Sequence, residues 1–250
     1  MSDSAPRPRG PLHIKEMTPA AVRDAIAANP RLLIPVGTCE PHGPHLPVGC
    51  DTIVIERLAD DLSAEFRMVR APTVEYGVND DVEVPQPGTA SVRRKTLRRW
   101  LNDLLPDWER AGITEFLVLT MNGHAPHQEA LGTIVTDHAR VRVIDILAID
   151  LGPLVDDAAG PIHGGEVDTS LLLYVAPHLV RMDLARDFIL PETDRTRYRR
   201  GSTMRVPAIS NGSLGTPTRA SSEKGRRIYE FIRDRIRRRV LGANGAATAG

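Results

Sequence analysis

The sequence predicts an α/β fold in which a largely parallel central sheet is covered by helices on both faces. Two observations carry this. Short apolar runs alternate with amphipathic, helix-spaced segments along the chain, the pattern of strands joined by crossover helices. The apolar runs are continuous rather than alternating, as in strands buried on both faces.

The elements follow in order. Residues 31–36 (RLLIPV) read as a buried strand. Residues 51–65 show helical spacing through Ile55, Leu58, Ala59 and Leu62. Residues 68–71 read as a short strand. Residues 92–111 form a long amphipathic helix with Leu97, Leu101, Leu104, Leu105 and Trp108 on or near one face, and Pro106 inside it. Core packing is the expected role of both tryptophans, Trp100 and Trp108. Residues 114–121 (TEFLVLTM) are a further apolar strand, 128–140 a helix, and 141–149 (VRVIDILAI) another strand. Residues 167–176 are helical and stop at Pro177. Residues 221–240 close the pattern as a helix with a basic outer face. The Pro- and Gly-rich stretches 77–90 and 200–218 read as active-site loops.

The chain has 250 residues, which fits one α/β domain. We expect a flexible arm over residues 1–12, a single domain over 13–241 and a flexible tail over 242–250. Aromatic residues are only 4%, so Val, Leu, Ile and Ala must fill the core. Lys plus Arg (32) equals Asp plus Glu (32), which gives no long-range attraction to nucleic acid or anionic membrane. No apolar run approaches the ~20 residues of a membrane span. The first residues, MSDSAPRPRGP, lack a signal-peptide core. Two cysteines are not a disulfide framework. A soluble, cytoplasmic enzyme is the expectation.

Three motifs carry the chemistry. GTCEPHGPHLPVGCD, residues 37–51, opens directly after a strand. It places Glu40 and His42 two positions apart, on one side of an extended backbone, and Asp51 at the end of a loop that can fold back on them. MNGHAPH, residues 121–127, also follows a strand, so both motifs open at the edge where the ligand crevice of a parallel sheet lies. Gly123 allows a tight turn and His124 is presented there. IHGGEVDTS, residues 162–170, leads into an apolar helix and carries His163 and Glu166. Each motif has a plain alternative: a His-rich surface loop, an Asn-Gly turn, a helix cap in which Asp168 or Thr169 could serve equally.

Together they set two histidines, His42 and His124, and three acids, Glu40, Asp51 and Glu166, at the mouth of one sheet. Mixed imidazole and carboxylate donors suit Zn, Mn or Fe better than Mg or Ca. Five donors suit a pair of ions, with Asp51 as the bridging candidate. Two ions about 3.5–4 Å apart lower the pKa of a shared water and polarise a carbonyl. His163, flanked by glycines, is the candidate to carry a proton to the leaving nitrogen.

These motifs resemble those of the creatininase family. Its members carry, in this order, GSxEQHGPHLPLxxD, NGHGGN and HAGExETS. The resemblance extends to PGT at 87–89 and GTPTRASSEKG at 215–225, and so covers most of residues 31 to 235. It implies a three-layer α/β/α sandwich and two divalent ions per chain, Zn first with Mn or Fe as alternatives. Glu40 and His124 would hold one ion, His42 and Glu166 the other, and Asp51 would bridge. His163 would be the catalytic histidine, and a homo-oligomer, commonly a hexamer, is expected.

This chain departs from the pattern in places. Pro41 replaces Gln. Ala125-Pro126-His127 replaces Gly-Gly-Asn. Creatinine-hydrolysing members have a glutamate ligand where Pro126 stands, and lack the glutamate present here as Glu166, so the ligand count is preserved from another loop. His127 either approaches the site, supports it from behind or is exposed. The tryptophans that wall the creatinine site have no counterpart here, where Ile149, Ala158 and Ala159 stand in the corresponding segments. Cys39 and Cys50 are expected to point away from the metals.

The expected function is metal-dependent hydrolysis of a C–N amide bond, including cyclic amides, in a small molecule other than creatinine, through a water activated by two metals. A peptidase or formamide hydrolase, and a non-catalytic metal-binding assembly protein, are the competing readings.

Overall fold

A computed structural model describes residues 10–79, 83–156, 163–194, 206–238 and 242. Most of the expected arm and tail, and Ala158 and Ala159, lie outside the described residues. Five parallel strands form one sheet in the order β1-β3-β2-β4-β5. These are β1 (Leu12–His13), β2 (Arg31–Pro35), β3 (Val69–Arg70), β4 (Glu115–Thr120) and β5 (Arg140–Asp145). The helices are α1 (Pro19–Ala28), α2 (Cys50–Phe66), α3 (Arg94–Arg110), α4 (Ala125–Gly132), α5 (Glu166–Val175) and α6 (Ser222–Ile236). None among the described residues is long and apolar enough to cross a membrane.

The strand pleat divides the core in two. Leu33, Leu117 and Leu119 point to one face and pack with α2, α5 and α6. Leu32, Ile34, Phe116 and Val118 point to the other and pack with α1, α3 and α4. Because both faces of β2 and β4 are buried, their runs had to be continuously apolar. This is the expected α/β/α sandwich.

Several boundaries differ from expectation. Leu12, placed in the arm, pairs with Val69 in the sheet. Helix α1 was not expected; Thr18 caps it by accepting from Ala21 N at 3.3 Å, with Pro19 at its first position. Only Ile26 of that helix is buried, so its apolar stripe is too thin to read. Helix α4 starts three residues early and ends at Gly132. Pro126 is tolerated in its first turn, and Glu109 draws the following turn aside by accepting from the backbone N–H groups of Asp137 and His138. Strand β5 stops at Asp145, whose carboxylate accepts from Leu147 N at 2.9 Å and starts a 3₁₀ turn instead. Trp108 packs against the core as expected, but Trp100 is exposed.

The topology places the site. Strands β2 and β4 are adjacent, in register from Arg31–Glu115 to Pro35–Leu119. The first two motifs therefore leave the same edge side by side. Helix α5, which begins in the third motif, packs on α2, which ends the first.

Candidate metal centre

His42 is the hub. A carbonyl only accepts, so the 3.2 Å contact from Nδ1 to the Glu40 carbonyl assigns the proton to Nδ1 and turns Nε2 toward Asp51. Asp51 Oδ1 lies 3.0 Å from Nε2. Asp51 Oδ2 accepts from the Thr38 hydroxyl at 2.8 Å. That hydroxyl also lies 3.4 Å from Glu40 Oε1, which accepts from Asn122 Nδ2 at 2.6 Å. All of these side chains are buried.

His163 lies against the same hub. Its ring stacks on His42 with centroids 4.1 Å apart, and its Nε2–H donates to the Pro41 carbonyl. Gly164 makes this approach possible. It takes φ +65°, and a Cβ there would sit 2.7 Å from the His42 carbonyl oxygen. The 206–218 segment backs the turn: Leu214 N donates to the His163 carbonyl at 2.8 Å, and Ser213 Oγ to that of Gly164 at 2.9 Å. Donor atoms of Glu40, His42 and His163 lie within 4.8 Å of one another, as do those of His42, Cys50 and Asp51.

The structure thus gathers Glu40, His42, Asp51 and His163 around one imidazole. His163 stands close enough to be grouped with the ligands. His124 and Glu166 belong to neither group. His124 is tied in through Asn122, whose Oδ1 accepts from His124 N at 2.9 Å while its amide holds Glu40. Its Nδ1–H donates to the Val78 carbonyl at 3.3 Å, so Nε2 is the nitrogen that would ligate. Glu166 is buried at the first position of α5, and its carboxylate meets Lys224 and the backbone N–H of Asp156.

Cys50 differs from expectation. It lies at the N-terminus of α2, where the helical turn brings it toward Asp51 and His42 rather than away. Burial, and then the charges of Asp168, Asp51 and Glu40, push its thiol well above the ordinary range, so it stays protonated. Cys39 is half-buried and also a free thiol.

Four supporting residues escaped the sequence analysis as site residues. Thr38 and Asn122 stand inside the recognised motifs, and their polarity beside acids was the available signal. His45 is buried and bonds Thr169 Oγ1 at 2.9 Å. Asp168 is buried and accepts from Gly164 N at 2.7 Å, which fixes the turn bearing His163. His127 resolves as support from behind. Its Nδ1 accepts from Val78 N at 3.1 Å and its Nε2 bonds Thr120 Oγ1 at 3.1 Å. It therefore pins the loop whose carbonyl orients His124.

The electrostatics fit a cation. Burial alone would push the His42 imidazolium down, but Asp51, then Glu40 and Asp168, outweigh it and raise its pKa to about 10. Burial and the charge of Asp51 lift Asp168 to about 7, against the opposing pull of His42 and the Gly164 N–H. Burial and then His42 lower His45 to about 4. Asp168 Oδ1 is buried without a hydrogen-bond partner among the described residues. Buried acids converging on one imidazole leave a negative excess that a divalent ion would neutralise, displacing the His42 proton.

A pH prediction follows for the metal-stripped chain. A raised His42 contributes stability that is fully present below its ordinary 6.5 and is lost as pH rises through about 10. Asp51 is lowered from 3.8: burial opposes this, but His42 and Thr38 outweigh it, so its share is lost as pH falls below that value. The Tm advantage of wild type over Asp51→Asn should therefore be greatest between about pH 4 and 6.5 and shrink toward pH 10. A flat difference across that range would remove the ion pair from the account.

The family model described as creatinine amidohydrolase (Creatininase) matches residues 15–240. The chain belongs to the creatininase family. A mycofactocin precursor peptide peptidase from Mycolicibacterium smegmatis is 33% identical over 235 residues, covering 88% of this chain and 89% of the relative. A 3-dehydro-scyllo-inosose hydrolase from Thermotoga maritima is 25% identical over 264 residues, covering 94% and 84%. Two solved creatininases, a Mn form and a mutant of Zn–Zn type, superpose with TM-score 0.69 at 23% identity, covering 91% of this chain and 98% of each. These creatininase structures carry the same fold. The two named relatives are hydrolases, which makes this member of the creatininase family an enzyme of that broad class.

Proposed function

We propose that the chain is a metal-dependent amidohydrolase that cleaves a C–N amide bond of a small molecule other than creatinine. The observation that carries this is the placement of His163, stacked on His42 and hydrogen-bonded at Pro41, between the candidate ligands Glu40 and His42. Glu40, His42, Asp51, His124 and Glu166 would hold two divalent ions, with Asp51 between them. Such a pair supplies Lewis acidity at the amide carbonyl and an activated water. Zn is the first choice and Mn an alternative; solved creatininases include a Zn–Zn form and a Mn form. Asn122 and Thr38 hold the Glu40 and Asp51 carboxylates in place. His163 carries a proton to the leaving nitrogen, and Asp168 holds the turn on which it stands. The buried surroundings of His42 keep bulk water from competing.

A peptidase is the second reading. The M. smegmatis relative favours it.

The test is a panel of linear amides, cyclic amides, formamides and short peptides, offered to metal-loaded and chelator-stripped protein. We expect turnover of an amide that is lost on stripping and restored by Zn²⁺ or Mn²⁺, with negligible creatinine turnover. Robust creatinine hydrolysis would overturn the exclusion. Turnover confined to peptides would select the second reading. Hydrolysis unaffected by stripping would sink the metal mechanism.

A further inference from the structure

Lys224 stands on α6, far from the three motifs in sequence, yet its ammonium reaches the Glu166 carboxylate. Its contacts are fully specified. An ammonium has three donors. Glu166 Oε1, Asp156 Oδ2 at 2.9 Å and the Arg219 carbonyl at 2.9 Å take them all. The Lys224 side chain is 14% exposed and that of Glu166 is 1% exposed, so this is not a solvent-screened surface pair.

The backbone fixes where Lys224 starts from. Ser221 caps α6 by accepting from Lys224 N at 3.2 Å, which makes Lys224 part of a rigid first turn. The next residue, Gly225, lies so close to α5 that a Cβ there would sit 1.8 Å from the Ser170 carbonyl oxygen. The two helices therefore meet in one setting, with the Lys224 stem beside the start of α5. The backbone N–H of Asp156 also donates to the Glu166 carboxylate, 3.1 Å from each oxygen.

We propose that Lys224 is the positioning residue for Glu166, supplying the counter-charge and the fixed donor that hold this carboxylate for one divalent ion of the centre. The proposal rests on the two-ion reading above. A buried carboxylate with no fixed partner would swing among rotamers, and ordering it would weaken its hold on an ion. Partners behind a metal ligand commonly account for 10–100-fold in metal affinity. The ion that does not depend on Glu166 has no reason to sense Lys224.

The test is competition titration of Zn²⁺ against a chromophoric chelator, resolving the two ions in wild type, Lys224→Met, Lys224→Arg and Glu166→Gln. Lys224→Met should weaken one ion by about 10–100-fold and leave the other at its wild-type Kd. Lys224→Arg should recover most of the loss. The double variant Lys224→Met/Glu166→Gln should be no weaker than Glu166→Gln alone. Should Lys224→Met fail to fold, Lys224→Gln carries the same expectation, because it keeps a donor and drops the charge. Two outcomes overturn the proposal alone: wild-type or tighter binding of both ions in Lys224→Met, or equal weakening of both without rescue by arginine. A wild type that takes up fewer than two ions overturns it together with the two-ion reading.

Discussion

Replacing Asp51 by alanine should abolish metal retention and reduce turnover by ~1,000-fold or more, since metal ions contribute several kcal/mol at the transition state. Asp51 is where the fold concentrates its connections. It is buried in the first turn of α2, pairs with His42 Nε2 at 3.0 Å and accepts from Thr38 at 2.8 Å. A ligand shared by two ions serves both, so its loss should be felt twice. Elemental analysis of Asp51→Ala after metal supplementation checks this. Wild-type metal content in that variant would remove Asp51 from the centre.

The second large effect concerns His163. His163→Ala should keep its metals and its substrate affinity while losing about 100-fold or more in turnover, the usual scale for a proton-transfer group. Its Nε2–H donates to the Pro41 backbone carbonyl, and the stacked His42 keeps its own partners, Glu40 and Asp51, when the ring is removed. Single-turnover rates beside metal content separate the outcomes. Loss of an ion with the ring would make His163 a ligand, as its proximity to Glu40 and His42 allows. An unchanged chemical rate in the metal-loaded variant would remove it from the reaction.

Much of the fold was legible because its central strands, β2 and β4, are buried on both faces. Continuous runs such as Leu32–Leu33 and Phe116–Leu119 have no other economical explanation, and the motifs that follow them had to share an edge. What remained hidden was settled by contacts across the chain. Helix α1 presents a single buried residue, and the two-residue β1 is held by its pairing with Val69. The end of α4 is decided by Glu109, twenty-eight residues before the turn it caps.

The site divides the same way. Glu40, His42, Asp51 and His163 could be read from local spacing, and the structure gathers them. Asn122, Thr38 and Asp168 sit in the same motifs, but their tasks appear only when loops from different strands meet. Cys50 was expected to point away from the metals, but helix α2 begins there and brings its thiol toward Asp51 and His42. The Glu166–Lys224 pair joins positions 58 apart, a distance at which no periodicity speaks.

The central claim is a two-metal centre built on Glu40, His42, Asp51, His124 and Glu166. Anomalous diffraction at the Zn edge from crystals of the Zn²⁺-loaded protein tests it most directly. The account predicts two peaks per chain, with Asp51 between them, His42 and Glu166 on one, and His124 and Glu40 on the other. A single peak, or two peaks with Glu166 contacting neither, would contradict it.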